Sequence, residues 1–420
     1  MATTSENTLS PHRARDFRLY WIAGGIDALG SHSSSIVLPL VAIAVTGSPT
    51  AVGVVGALAV AGRLVAAPVT AVLADRLPRR TMMIAALLTA AAATGVISGA
   101  LLTDTLVIGV LAAAAFVEGA AQSGYESAGA GAIRRLLPAD DHRALARMEA
   151  RNHAAQILGP LLGGALFQVA RWLPFLADFV SYVIAAVCVA AIRTDLTPHR
   201  EERTSFVGDL RAGLRFVAGQ PFLRFVTVWA AGINFAFAAL IYAVILISDR
   251  RGASPVSIGL VLTVASVGGL LGALATPRVV QRLRPAATIV VASWAMVAFV
   301  AALVVAQQTW SYGLLIGLVF LLSPLAGVIL QARAIMVTPD DLQGRVATVI
   351  GTVGEVPQMF APLLAAVLVA HVSPAVVALS CAALLAVLAG YATVNVGLLR
   401  TDAAPGDPAD AEPTSEEDPR

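Results

Sequence analysis

The sequence predicts an all-α, polytopic membrane protein whose twelve transmembrane helices form two pseudo-symmetric six-helix bundles. Three observations predict it. Of the 420 residues, 58% are hydrophobic and only 13% are charged, against roughly 45–50% and 25% in soluble domains. Runs of about twenty apolar residues recur along nearly the whole chain, each long enough to cross ~30 Å of hydrocarbon. Finally, Gln156-Ile-Leu-Gly-Pro-Leu-Leu-Gly-Gly164 returns as Gln358-Met-Phe-Ala-Pro-Leu-Leu-Ala-Ala366, each position identical or exchanging one small or apolar type for another. In both copies a proline after a small residue bends a helix, and the small residues admit a close neighbour. Pro138-Ala-Asp-Asp141 precedes the first copy as Pro339-Asp-Asp341 precedes the second.

Taken in order, apolar runs between turn and charge clusters predict helices over 17–45, 51–74, 81–102, 105–135, 142–170 and 173–192, then 222–248, 255–277, 286–306, 310–334, 341–370 and 374–398. The first follows a polar tail, residues 1–16, without a small-residue cleavage site, which reads as a cytoplasmic tail and a retained helix rather than a signal peptide. Residues 17–192 and 222–398 are the expected bundles. The long connection at 193–221 separates them, and in it Val207, Leu210, Leu214 and Val217 repeat at helical spacing around Arg211 and Arg215. That pattern predicts a short helix lying on the inner membrane surface. Residues 399–420 carry seven acidic residues among several prolines, and their composition predicts disorder.

Orientation follows from arginine, which supplies all 28 basic residues. With the N-terminus in the cytoplasm, the turns holding Arg76, Arg79, Arg80, Arg134, Arg135, Arg193, Arg278 and Arg282 all lie inside, and only Arg171, Arg250 and Arg251 fall outside. Both termini are therefore expected inside a plasma membrane. The absence of lysine excludes lysine Schiff-base and P-loop chemistry, and points to a high-GC bacterial genome. Cys188 and Cys381 fall within apolar runs, where inert buried thiols are expected.

Between the second and third helices stands Ala71-Val-Leu-Ala-Asp-Arg-Leu-Pro-Arg-Arg80. It resembles the signature loop of the major facilitator superfamily, with Asp75, Arg76, Arg79 and Arg80 matching and Ala71 and Pro78 replacing its two glycines. The resemblance implies that Asp75 faces the start of the eleventh helix, where Thr338-Pro-Asp-Asp341 reads independently as a capped helix N-terminus. The Gly159-Pro160-x-x-Gly163-Gly164 core is similar to the motif associated with antiporters of that superfamily, especially its drug and siderophore exporters. Pro174-Phe-Leu-Ala-Asp-Phe-Val-Ser-Tyr182 resembles the start of the sixth helix in its macrolide and enterobactin exporter branch. The resemblance implies two parallel six-helix halves around a central cavity, with no cofactor.

Ionisable side chains within hydrocarbon are costly and become functional candidates by default. They are Asp27, Arg63, Glu118, Glu126 and Glu355, with Asp178 and Arg333 nearer the helix ends. Arg63 and Glu118 each lie about thirteen residues from their outer helix ends, near the midplane at ~1.5 Å per residue, and are expected to be able to pair. Glu118, Gln122 and Glu126 form one stripe at four-residue steps, which must face protein or water. The first helix offers Asp27, Ser31, Ser34 and Ser35, with His32 one residue off that face. A carboxyl in a low-dielectric chamber can take a proton from one side and release it to the other, so Glu118 and Asp27 are the leading proton-coupling candidates, followed by Glu126. The same residues have structural readings: a fixed Arg63–Glu118 ion pair, a water-exposed Asp27, and a structural or gate-forming Glu355. Asn234, Phe235, Phe237 and Tyr242, with Trp229, supply either an aromatic and amide surface for an apolar substrate or ordinary helix packing.

The expected function is export of small, largely apolar or amphipathic organic compounds driven by proton entry. Its expected partners are a small-molecule substrate, protons and the lipid bilayer, without nucleic acid, for a monomer. A nutrient importer of the same architecture is the alternative. A membrane-embedded enzyme is a remote third reading, because the six histidines are scattered and no H-E-x-x-H or paired-cysteine spacing occurs.

Overall fold

A computed structural model describes residues 11–137, 142–197, 206–306, 308–339 and 342–399. The acidic tail, both acidic dipeptides of the Pro-Asp-Asp echo and linker residues 198–205 lie outside the described residues. The first half of the chain forms α1 (Pro11–Thr46), α2 (Pro49–Arg76), α3 (Arg79–Leu102), α4 (Ile108–Leu136), α5 (His142–Val169) and α6 (Leu173–Ala190). The connection contributes α7 (Phe206–Gly219). The second half forms α8 (Pro221–Arg250), α9 (Pro255–Arg282), α10 (Pro285–Ala301), α11 (Thr309–Met336), α12 (Gln343–Glu355), α13 (Ala361–His371), α14 (Pro374–Val394) and the short α15 (Val396–Leu399).

Local chemistry sets many of these boundaries. Pro49, Pro221, Pro255, Pro285 and Pro374 each occupy a first helical turn, where a missing N–H costs nothing. The Ser254 and Ser373 hydroxyls cap α9 and α14 by accepting from the Ser257 and Val376 amides. The run predicted as one helix over 341–370 is instead α12 and α13 joined by a 3₁₀ segment, Val356–Phe360. Pro357 and Pro362 remove two amide donors there, and the tighter turn accommodates the loss.

Ten spans among the described residues are long and apolar enough to cross a membrane, one of them Gln343–His371. Helices α4 and α5 have the length, 29 and 28 residues, but carry Glu118, Gln122, Glu126, Arg151 and Asn152 and are more polar. Each half repeats one packing plan. In the first, α2 packs on α4, α3 on α4 and α6, and α1 on α5 and α6; in the second, α9 packs on α11, α10 on α11 and α14, and α8 on α13 and α14. The repeat extends to single residues: a Cβ at Gly62 would meet the Phe116 carbonyl at 2.0 Å, and one at Gly268 the Gly317 carbonyl at 2.1 Å.

The arginine-rich turns of the first half gather at one end, here called the basic end. Asp16 at the start of α1 accepts from the amides of Arg193 and Thr194 and from the Thr194 hydroxyl, at 3.0, 2.7 and 2.7 Å. Arg79 donates to the Gly131 carbonyl and Arg80 to that of Thr194. The linker helix α7 is packed into the second half. It packs against α12 and α8, with Gly213 so close to the Arg345 carbonyl that a Cβ would stand 2.7 Å away, and Val217 is buried.

Candidate functional site

The two duplicated proline segments meet the other half in equivalent ways, at the end opposite the basic one. On α5, Gly159 and Gly163 face α1, where Cβ atoms would stand 2.5 Å from the His32 Cβ and 2.2 Å from the Ser33 carbonyl. Gly164 faces α9 instead, 2.4 Å by the same measure from the Pro255 carbonyl, while a Cβ at Gly259 would meet the Pro160 carbonyl at 2.3 Å. The second copy repeats this contact against α2: a Cβ at Gly53 would meet the Ala366 Cβ at 2.8 Å, and one at Gly56 the Pro362 Cβ at 2.9 Å. Ile36 and Leu40 of α1 complete the seal with Ile245, Ile258 and Leu262. Each Pro-x-x-Gly-Gly or Pro-x-x-Ala-Ala face thus needs a glycine partner on the opposite half. Those partners stand in a second echo, Ser48-Pro-x-x-x-Gly53 and Ser254-Pro-x-x-x-Gly259, which was legible in the sequence but is shorter than the first.

Toward the basic end the halves part around a cleft of about 280 Å³ lined by Arg63, Ser123, Glu126, Ser127, Thr348, Thr352 and Glu355. Arg63 pairs across it with Glu355 at 3.4 Å and not with Glu118. The difference arises because α2 meets α4 through Gly62 and Gly119, which turns the neighbouring arginine away from that contact and toward the opposite half. Glu355 thus stands at the junction of α12 with the 3₁₀ segment and bridges the two halves. Glu126 is exposed to the cleft. An apolar cavity of about 360 Å³ among α8, α11 and α12, lined by Val226, Trp229, Leu330 and Ile350, adjoins the cleft through their shared Gly351.

Behind the cleft, within the first half, lies a buried carboxyl cluster. The Tyr182 hydroxyl is its hub: it donates to Glu118 at 3.1 Å, lies 3.4 Å from the Gln122 Oε1, and meets the Ser31 hydroxyl at 3.0 Å. Asp178, expected nearer a helix end, is fully buried, and accepts from Ser34 at 2.5 Å and from Ser181 at 3.1 Å. Asp27 is 5% exposed rather than water-facing, and its Oδ1 has no hydrogen-bond partner among the described residues. Glu118 and Asp27 both lie within electrostatic reach of Asp178. The α1 face divides accordingly: Ser31 and Ser34 point into the cluster, whereas Ser35 is exposed and His32 packs on Gly159. Composition concealed this cluster, because Asp178 and Tyr182 sit in the most apolar-looking stretch of the first half.

The signature loop holds its own half together. Arg79 and Arg80 tie α3 to the ends of α4 and α6, while Asp75 and Arg76 are exposed, and among the described residues Asp75 makes no hydrogen bond or ion pair. At its expected partner, the start of the eleventh span, Asp340 and Asp341 lie outside the described residues; α2 itself meets the eleventh span through the 3₁₀ segment, α13 and the Arg63–Glu355 pair at the end of α12. Thr338 does not cap that span; its hydroxyl donates back to the Ala334 carbonyl of α11. Asn234 donates weakly to the Gly354 carbonyl, 3.4 Å away, and Phe237 stacks on Phe320, so this face of α8 includes ordinary helix packing. Sequence reading also passed over Arg151, whose guanidinium lies against α1 beside Trp21 and Gly24.

Comparison with known proteins bears on this arrangement. The sequence model described as Major Facilitator Superfamily matches residues 20–362. No curated protein matches the sequence. Among solved structures, a bacterial homologue of the human lysosomal transporter Spinster, inward-facing and unoccupied, superposes with a TM-score of 0.71 at 12% identity, covering 93% of this chain and 98% of that one. A bacterial homologue of the iron transporter ferroportin, also inward-facing, gives 0.71 at 14% identity over 92% and 100%. The nucleoside transporter NupG gives 0.69 at 10% identity over 92% and 99%.

Proposed function

This chain belongs to the Major Facilitator Superfamily and is a secondary transporter, and we propose that it exports small amphipathic or apolar organic compounds in exchange for protons. The observation that carries the reading is the carboxyl cluster of Asp27, Glu118 and Asp178. Two buried acids, Asp27 and Asp178, and the half-buried Glu118 share one region of α1, α4 and α6, and none makes an ion pair among the described residues. Leaving such groups charged in a low-dielectric interior costs several kcal/mol, so loading and unloading protons is the chemistry this region offers. The adjoining cavities, one polar with Arg63, Glu126 and Glu355 and one apolar beside Trp229, suit a substrate with both characters. The export direction draws on the Gly159-Pro160-x-x-Gly163-Gly164 core and its likeness to drug, macrolide and siderophore exporters.

The halves are sealed at the end opposite the arginine-rich turns and parted at the basic end. With that end in the cytoplasm of a bacterial cell, as the arginine bias requires, the cleft opens inward to collect substrate. The test is accumulation of a panel of antibiotics and siderophores in an efflux-deficient host. Glu118→Gln and Asp27→Asn are expected to abolish the reduced accumulation conferred by the wild type while membrane expression persists. Unchanged efflux from both variants removes those residues from the mechanism, and labelled uptake under an inward proton gradient in right-side-out vesicles would make the protein an importer.

A further inference from the structure

Arg151 is a cation inside the first half with no role in the reading above. From α5 its Nη1 donates to the Trp21 carbonyl of α1 at 2.8 Å, and its Nε and Nη2 donate to Asn152 at 3.2 and 2.9 Å. Helix α1 makes room for it with two adjacent glycines: a Cβ at Gly24 would stand 2.6 Å from Nη1, and one at Gly25 would stand 3.0 Å from Cδ. No carboxylate among the described residues lies within ion-pairing distance of it. One turn further along α1 stands Asp27, buried, with Oδ1 unpartnered. Arg151 is the cation acting on Asp27 from α5, and the other groups that act on it or feel its charge are Glu118, Glu126 and Tyr125 of α4, Asp178 and Tyr182 of α6, and Tyr20 of α1 itself.

A guanidinium and an unpaired carboxyl, separated by one turn of helix whose intervening surface is glycine, define two seats for one cation. We propose that Arg151 is the movable counter-charge of Asp27. With Asp27 protonated, the guanidinium rests on the Trp21 carbonyl. When Asp27 releases its proton to water, the guanidinium moves roughly 4.5 Å along the Gly24–Gly25 face, three residues of helical rise, and pairs with the carboxylate. Arg151 stays protonated throughout, so one proton leaves and no other bond changes. The inference rests on the proton coupling proposed above and adds the residue that turns a proton into movement. The displaced element is α5, which touches α1 through Gly159 and Gly163 and the opposite half through Pro160 and Gly164, so a shift of α1 against α5 reaches the seam between the halves directly.

The test needs no substrate. Hydrogen–deuterium exchange of the purified full chain in micelles is compared at about pH 5.5 and about pH 8.5, corrected for the intrinsic pH dependence of amide exchange. In the wild type, peptides spanning 18–32 and 147–160 are expected to change protection by about fivefold or more, the lower range of coupling between linked sites. Arg151→Gln and Asp27→Asn are each expected to remove that response, and Arg151→Lys to retain it. Should Arg151→Gln fold poorly, Gly24→Ala, which obstructs the resting seat, is expected to diminish the response in its place. A wild type without a pH response overturns the proposal. So does an Arg151→Gln variant whose protection falls equally at both pH values while the response persists, because that is the signature of a merely structural contact. Failure of the transport reading shows separately, as accumulation in cells that Asp27→Asn leaves unchanged.

Discussion

Adding one methyl group at Gly259 is expected to push the sealed end of the molecule open. The built Cβ stands 2.3 Å from the Pro160 carbonyl oxygen and 3.0 Å from its carbon. Both are backbone atoms of α5, so no rotamer change relieves the contact. Restoring ordinary separation requires α9 and α5 to retreat by roughly 1 Å, and overpacking of this kind costs ~1–3 kcal/mol. The penalty falls only on arrangements in which α5 and α9 touch here, so it shifts the population toward a parted seam by roughly 5- to 150-fold. Ala253, half-buried against the cluster of Ile36, Leu40 and Ile258, is the reporter position. With Cys188 and Cys381 changed to alanine and Ala253→Cys introduced, the maleimide labelling rate in micelles is expected to rise at least ~5-fold in Gly259→Ala. Gly53→Ala, at the equivalent contact but 2.8 Å from a side-chain carbon, is expected to act in the same direction and less strongly. Gly269→Ala is the control, since a Cβ there would stand 4.0 Å from the Phe320 oxygen. Labelling of Gly259→Ala at the control rate would refute the argument that this contact holds the seal.

Tyr182→Phe removes the shared hydroxyl of Glu118, Gln122 and Ser31; a loss of ~1–3 kcal/mol is expected as a lower melting temperature, and no change would mean that water replaces the hub. Arg63→Gln and Glu355→Gln break a pair whose side chains are 33% and 40% exposed, so each is expected to shift melting by no more than about 2–4 °C while altering transport; the exchange Arg63→Glu with Glu355→Arg is expected to recover transport that the single changes lose. Asp16→Ala removes the carboxylate that accepts from three donors at the exit of α6, and limited proteolysis is expected to cut near 193–197 faster than in the wild type, with equal rates disproving its role as a clasp.

The number and order of the spans were legible because apolar run length is a local property. Predicted 142–170 is α5 at 142–169, and predicted 222–248 is α8 at 221–250. The proline segments announced a repeated contact because a small-residue face is written in consecutive positions. Their partners were harder to see, since Gly53 and Gly259 matter only once another helix arrives. The break after Glu355 carried a local signal as well, two prolines five residues apart, but the apolar run masked it.

Charge partnership belongs to the tertiary structure alone. Equal depth placed Arg63 beside Glu118 on paper, yet depth fixes height in the membrane and leaves the rotation of each helix free. Backbone contact at Gly62 and Gly119 fixes that rotation, sending Arg63 to Glu355 and leaving Glu118 to Tyr182. Asp178, read only as an ionisable residue nearer a helix end, is the most deeply buried acid among the described residues, where α1 presents Ser34 to it. By itself the sequence determined which segments leave water, how many there are and which faces are small enough to touch. Which carboxyl meets which cation was decided only where helices from distant parts of the chain press together, because an electrostatic partner is chosen by distances of a few ångströms that no single stretch of chain encodes.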